Sequence, residues 1–426
     1  MSQNKATLAK TLTLPQAIGL AITLVVGSGL LALPGLAYRE SGSSAIYAWL
    51  ISSVISVPFL IVFASLGARL PGAGGVAGFM QSAFSRRASV PVEFMLLGTF
   101  VVGGPAMVIT GGQYFAAAFG LGQPGVLIGA VGVLLIACTI NYMGARISGR
   151  IQQVMATILV ILLAGIALAA VAFGTRGGTG IAPLSDWANG IPSVGLVFFA
   201  FVGWEMMSFT TEEFRNPKRD FPIMIAVSFV IVVALYLFIA AVVQLVLPVG
   251  DTHFTSAPIA ALLSATFGST SGQIIALLGL LIIIANFTSG SWAASRLTFS
   301  SAREGLLPEI LSRVEPRTQT PRNAVLAMTL AYTPVLVLYF AGIMSQSLMF
   351  QLAGVCFFTL YGVSVIAFIK ISVRPLSRLF GVLVLLLVAA VMTTFGALML
   401  YPCVLLVLGI IWVGLRMGIR VQAEAG

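Results

Sequence analysis

Two short stretches of the chain combine residue types and spacings suited to holding a zwitterion. The first reads Val25-Val26-Gly27-Ser28-Gly29-Leu30, followed by Pro34-Gly35, and sets a hydroxyl between two glycines inside an apolar run. A helix in lipid satisfies its backbone internally, so such a cluster marks either the close approach of another helix or a break that lines a cavity. At a break, the amides that open the second half-helix carry partial positive charge and suit a carboxylate. The second stretch, Phe198-Phe199-Ala200-Phe201-Val202-Gly203-Trp204-Glu205, is another candidate interruption. Carbonyls ending its first half carry partial negative charge and suit an ammonium. Two interrupted helices at matching places in two halves of a chain point to a central binding site.

Glu205 is an ionisable group within an apolar run, where burial in lipid is costly. It reads as a gate hydrogen-bonder or proton carrier, or else as a cap for amides freed by the break. Glu93, near the start of the third apolar run, reads as interfacial and structural. Phe199 and Phe201 suit an aromatic lid, although with 28 phenylalanines in the chain any one of them also suits plain packing. Asn286, Thr288 and Ser289 form a polar cluster that either bonds neighbouring helices or faces substrate or an ion. Cys138, Cys356 and Cys403 are far apart within apolar runs, and the sole histidine, His253, has no partner imidazole or thiolate nearby, so no disulfide, metal or cofactor is expected.

The elements that must position these residues follow from composition. Of 426 residues, 59% are apolar and 8% charged, which excludes a water-soluble fold and indicates one integral membrane domain in a lipid bilayer. The formal charge of +10 is spread in ones and twos between apolar runs, without the basic face that nucleic acid requires. At roughly 20 residues per crossing, the chain divides into about twelve transmembrane helices. Their limits are near residues 15–38, 45–66, 90–119, 126–143, 151–173, 193–209, 223–247, 272–299, 324–341, 348–371, 379–400 and 402–417. With the amino terminus in the cytoplasm, 19 lysines and arginines collect on that side and only Arg39 and Arg176 on the other, while Arg296 falls within the eighth span. That bias places both termini inside.

Four motifs together resemble the amino acid-polyamine-organocation superfamily of transporters over nearly the whole chain. They are Gly27-Ser28-Gly29 with Pro34, then Arg69-Leu70-Pro71-Gly72-Ala73-Gly74-Gly75-Val76, then Glu212 to Pro222, and finally Ser300 to Pro308. The resemblance implies an all-α membrane protein with a LeuT-like 5+5 inverted repeat. Residues 15–175 form repeat one and residues 193–371 repeat two, with helices 1 and 6 broken and two peripheral helices over residues 378–417. It implies alternating access around a mid-membrane amino-acid site. The substrate carboxylate would meet the backbone at Gly27, Ser28 and Gly29, and its ammonium the carbonyls of Val25, Phe199 and Val202 beside Gly203. The aromatic ring of Phe199 would help close the site, and Glu205 matches the family's glutamate on that helix. The loops around Pro71 and Asn216-Pro217 read as components of an inward gate, in which Arg or Lys pairs with Glu212 or Glu213. Some proton-coupled members carry a lysine in the fifth span, where this chain has Val160. Coupling then falls to a proton on Glu205, to sodium at Thr288 or Ser289, or to exchange without an ion.

Selectivity would come from the side-chain pocket, which offers no obvious counter-ion for a charged side chain beyond Glu205. Neutral, apolar L-amino acids fit, as in the bacterial subgroup of exporters of methionine, leucine, isoleucine and valine, in the inner membrane. An uptake permease or exchanger of the same superfamily, and a non-transporting amino-acid sensor, are the alternatives. An enzyme lacks a catalytic constellation, and a channel lacks a repeated filter or ring of charge.

Overall fold

Runs that are apolar on every face leave the backbone no partner but itself, and the chain is helical almost throughout. The computed structural model describes residues 8–174, 177–248 and 272–425, with 259, 262 and 266 between. In chain order the helices are α1 (Leu14–Val25), α2 (Ser28–Ser41), α3 (Ala45–Arg69), α4 (Gly75–Ala83), α5 (Arg86–Phe119), α6 (Gln123–Tyr142) and α7 (Ala145–Phe173). They continue with α8 (Val194–Phe198), α9 (Pro217–Val246), α10 (Gly272–Arg303), α11 (Arg322–Phe340), α12 (Gln346–Ile371), α13 (Pro375–Met392) and α14 (Leu400–Ala425). Among the described residues the single piece of extended pairing is an isolated bridge from Leu12 to Phe214. His253 and Arg176 lie outside the described residues, as do the side chains of Ser28 and Phe199.

Ten stretches among the described residues are long and apolar enough to cross a membrane, one of them running from Leu33 through Arg69. The sequence leads to about twelve, and the difference has a physical cause. The expected first and sixth spans are interrupted, leaving 12 residues in α1 and 5 in α8, where a straight crossing takes roughly 20.

Packing sets these short pieces at the centre. Helix α1 lies against α7, α9 and α10, α8 lies against α3, and the long helices α5 and α10 run side by side. Helices α13 and α14 pack on α12 and α5 and are mostly exposed, as lipid-facing helices are. The ends of α3, α5, α10 and the segment after α8 gather with Leu8–Leu12 at one end of the molecule, here called the base.

Candidate functional site

The first interruption is short and sharp. Helix α1 closes with the Val26 amide on the Ile22 carbonyl at 2.8 Å, Gly27 is extended at φ −129°, and α2 starts at Ser28. The Ser28 and Gly29 amides thus open a helix, where a helix has no carbonyl of its own to offer them. The freed carbonyls at the end of α1 are met from α10, where the Asn286 amide donates to Thr23 at 3.1 Å and to Leu24 at 2.5 Å. Glycine at position 27 permits this, because a Cβ there would stand 2.8 Å from the Asn286 side chain.

The second interruption is longer. After α8 come a 3-10 turn over Phe199–Phe201, two non-helical residues, and a 3-10 helix over Trp204–Glu213. Gly203 takes φ +127°, a conformation that a residue with a Cβ rarely adopts. Beyond it Ser208, Thr210 and Thr211 each return a hydroxyl to the carbonyl three residues back. A tyrosine on α9 joins the two gaps. The Tyr236 hydroxyl lies between the Val25 carbonyl at 3.0 Å and the Ala200 carbonyl at 3.3 Å, its one proton shared between them.

Between the interruptions lies a cavity with about 120 Å³ open to the centres of water molecules. That approaches the roughly 150 Å³ of an apolar cavity that takes up benzene, room on the scale of a small amino-acid side chain. Val25, Gly27, Val202 and Gly203 line it with Asn286. Its wider walls come from residues that the sequence did not single out: Thr99, Phe100 and Met107 of α5, Ser291 of α10, Tyr332 of α11, and Phe350 and Phe357 of α12. No charged side chain lines it among the described residues.

Other expected residues lie elsewhere. Phe201 is buried away from the cavity, packed on Trp49 at 6.2 Å and Tyr236 at 5.5 Å between ring centres. Thr288 and Ser289 are buried outside the cavity lining, with the Thr288 hydroxyl returned to the Ile284 carbonyl of its own helix at 2.6 Å. The Thr288 carbonyl accepts from Asn141 at 3.0 Å, while the Ser289 hydroxyl meets that of Thr23 at 2.7 Å, and Thr23 also reaches the Gln152 side-chain oxygen at 2.8 Å. Glu205 is fully buried just behind the cavity wall. Its Oε2 accepts from the Gly203 amide at 3.1 Å and the Tyr361 hydroxyl at 2.8 Å, whereas Oε1 has no partner among the described residues.

At the base and just inside it, Glu212, Glu213 and Glu93 each pair with an arginine. Glu212 accepts both guanidinium nitrogens of Arg303, at 2.8 and 2.9 Å, with the amides of Leu8 at 2.9 Å and Ala73 at 3.1 Å. One carboxylate thus gathers the amino-terminal segment, the loop before α4, the end of the 3-10 helix and the end of α10. Burial pushes the Glu212 carboxyl up, but the Arg303 hydrogen bonds and charge, with the two amides, outweigh it and hold the group below its ordinary value. Glu213 pairs with Arg296 of α10, and Arg86 with Glu93.

The amino acid permease family matches residues 12–414. An uncharacterized amino acid permease of Bacillus subtilis, YecA, is 27% identical over 406 residues, covering 94% of this chain and 95% of that protein. The L-methionine/branched-chain amino acid exporter YjeH of Escherichia coli is 28% identical over 396 residues, covering 90% and 92%. The serine/threonine exchanger SteT of Bacillus subtilis is 28% identical over 339 residues, covering 75% and 74%.

Proposed function

Because the chain belongs to the amino acid permease family, we propose that it is a secondary active transporter that moves neutral, apolar L-amino acids by alternating access through the cavity between its two interrupted helices. The observation that carries this reading is the character of that cavity. Backbone groups freed at Gly27 and Gly203 stand at its edge, and its side walls are mainly aromatic and thioether groups, with the Thr99, Ser291 and Tyr332 hydroxyls and no charge. The α2 amides suit the substrate carboxylate and the Val25 and Val202 carbonyls its ammonium. Phe100, Met107, Phe350 and Phe357 then surround an apolar side chain. A cationic or acidic side chain would lie there unpaired, at considerable cost.

In this reading α1 with α2, and α8 with the segment that follows, are the first and sixth of twelve crossings in two inverted repeats. The base faces the cytoplasm of a bacterial cell, as the concentration of lysine and arginine there requires. Methionine, leucine, isoleucine and valine are the substrates and export the direction, a reading supported by the name of the Escherichia coli relative. Glu205 serves as gate or proton carrier, since its Oε2 holds the backbone of the second interruption and Tyr361 of α12 together.

Purified protein screened by thermal shift against the twenty amino acids tests the reading directly, because a ligand stabilises in proportion to occupancy. Methionine and the branched-chain amino acids are expected to raise the midpoint, with lysine and glutamate inert, and the same four to exchange in proteoliposomes. Stabilisation by lysine or glutamate alone would overturn the substrate assignment. Glu205→Gln is expected to flatten the pH dependence of exchange, and an unchanged profile would remove Glu205 as the proton carrier.

A further inference from the structure

Five residues beyond Ser291 of the cavity wall, about 8 Å along the helix axis, α10 carries Arg296. Arg296 and its partner Glu213 each have side chains 1% exposed, deep within the plug that separates the cavity from the base. Glu213 Oε1 accepts from Arg296 Nε and from the Trp292 indole at 3.3 Å. The guanidinium lies over the Trp292 ring at 4.9 Å and donates from Nη1 to the Ser295 hydroxyl at 3.0 Å. Glu213 Oε2 is buried without a partner among the described residues.

Stability alone is a poor reason for such a pair. Well-packed apolar residues of similar volume serve as well or better in many proteins, and ionisable groups inside a membrane mark pathways. The pair also bridges the 3-10 helix after α8 and α10, so any opening of the plug between these elements must pull a desolvated cation away from a desolvated anion. A zwitterion can replace each partner for the other.

We propose that Arg296 and Glu213 form a second, inner subsite for the α-amino acid zwitterion, occupied as the base opens. The substrate carboxylate takes the place of Glu213 on the guanidinium. The substrate ammonium takes the place of Arg296 on Glu213, with the spare Oε2 as an additional acceptor. Neither buried charge is left bare, so the plug opens readily around a zwitterion and poorly without one. This inference rests on the transporter reading above and adds a distinct consequence: affinity measured from the base depends on the pair, and affinity measured from the opposite face does not.

The test uses full-length protein in proteoliposomes of defined orientation, with leucine half-saturation measured from each face. The double variant Arg296→Met with Glu213→Gln removes both charges and avoids leaving one unpaired. It is expected to raise leucine half-saturation tenfold or more from the base, to change it less than twofold from the other face, and to keep the leucine thermal shift. Where that variant accumulates poorly, Arg296→Lys keeps the charge but loses the planar carboxylate fork, and the same one-sided rise is expected. Equal effects on both faces, or none, would overturn the subsite. Failure of the transporter reading shows separately, as wild-type protein that neither binds nor moves leucine.

Discussion

The Tyr236 hydroxyl lies 3.0 Å from the Val25 carbonyl, at the last residue of α1, and its 3.3 Å approach to Ala200 fastens that end to the second interrupted helix. Tyr236 is fully buried, edge-on to Trp49 at 5.3 Å, so Tyr236→Phe retains the packing and removes only the hydroxyl. Two buried carbonyls then lose their shared donor, at a cost of about 1–3 kcal/mol. The variant is expected to have a lower melting midpoint and weaker substrate half-saturation, read by thermal shift and exchange. Wild-type values for both would show that the two interruptions are held by other means.

Gly27 answers to space rather than to backbone conformation. With a Cβ 2.8 Å from the Asn286 side chain, Gly27→Ala must displace the amide that holds the Thr23 and Leu24 carbonyls, and Gly27→Leu must also fill the cavity. Exchange is expected to fall steeply in the alanine variant and to vanish in the leucine variant. Asn286→Ala, which vacates the space but leaves the α1 carbonyls without their donor, should lose activity as well. Full exchange in Gly27→Leu would remove the interruption as the substrate site.

Both interruptions are legible in the sequence because glycine and an ionisable residue punctuate apolar runs at Gly27 and near Glu205, where every neighbouring residue favours uninterrupted helix. The partners of those interruptions are not. Tyr236 and Asn286 reach across from α9 and α10, 211 and 262 positions away from the α1 carbonyls they meet, and no local pattern singles out one tyrosine in an apolar run. The cavity walls from α5 and α12 are hidden for the same reason: Phe100 and Phe357 look like any other phenylalanine until the helices are placed. Phe201 shows the converse, a residue beside the second interruption whose ring turns into the aromatic core. Charge is legible in part: Glu212 and Glu213 read as carboxylates that pair with an Arg or Lys, whereas only the fold shows that Arg303 and Arg296 of α10 are the partners.

Gly290 lines the cavity, and a Cβ built on it meets nothing within 4 Å. A side chain there projects into free space without disturbing its neighbours, so Gly290→Val is expected to fold normally and to shorten the pocket. Removing room for a methylene-sized group is worth about 1–3 kcal/mol, or roughly 10–200-fold in discrimination. Methionine and leucine should lose affinity on that scale while alanine and serine are retained, as read by competition against a labelled substrate. Uniform loss of all four would mean that the position supports the fold instead of sizing the side chain.

The Glu212 hub gives the base a pH dependence whose sign is fixed by its surroundings. Its carboxyl is held below the ordinary value of 4.5 by Arg303 and the Leu8 and Ala73 amides, in spite of burial. A group depressed in the native state contributes stability that is complete above the ordinary value and lost as the pH falls through the lower native one. Near neutrality, Glu212→Gln is therefore expected to be less stable than wild type by about 1.5–3 kcal/mol, the scale of hydrogen bonds to a charged group. As the pH is lowered through 4.5 and below, the two melting midpoints should converge, because wild type takes up the proton that the glutamine variant has already replaced. A difference that stays constant across that range would show that the Glu212 charge does not stabilise the base, and its uncharged hydrogen bonds would then account for the loss.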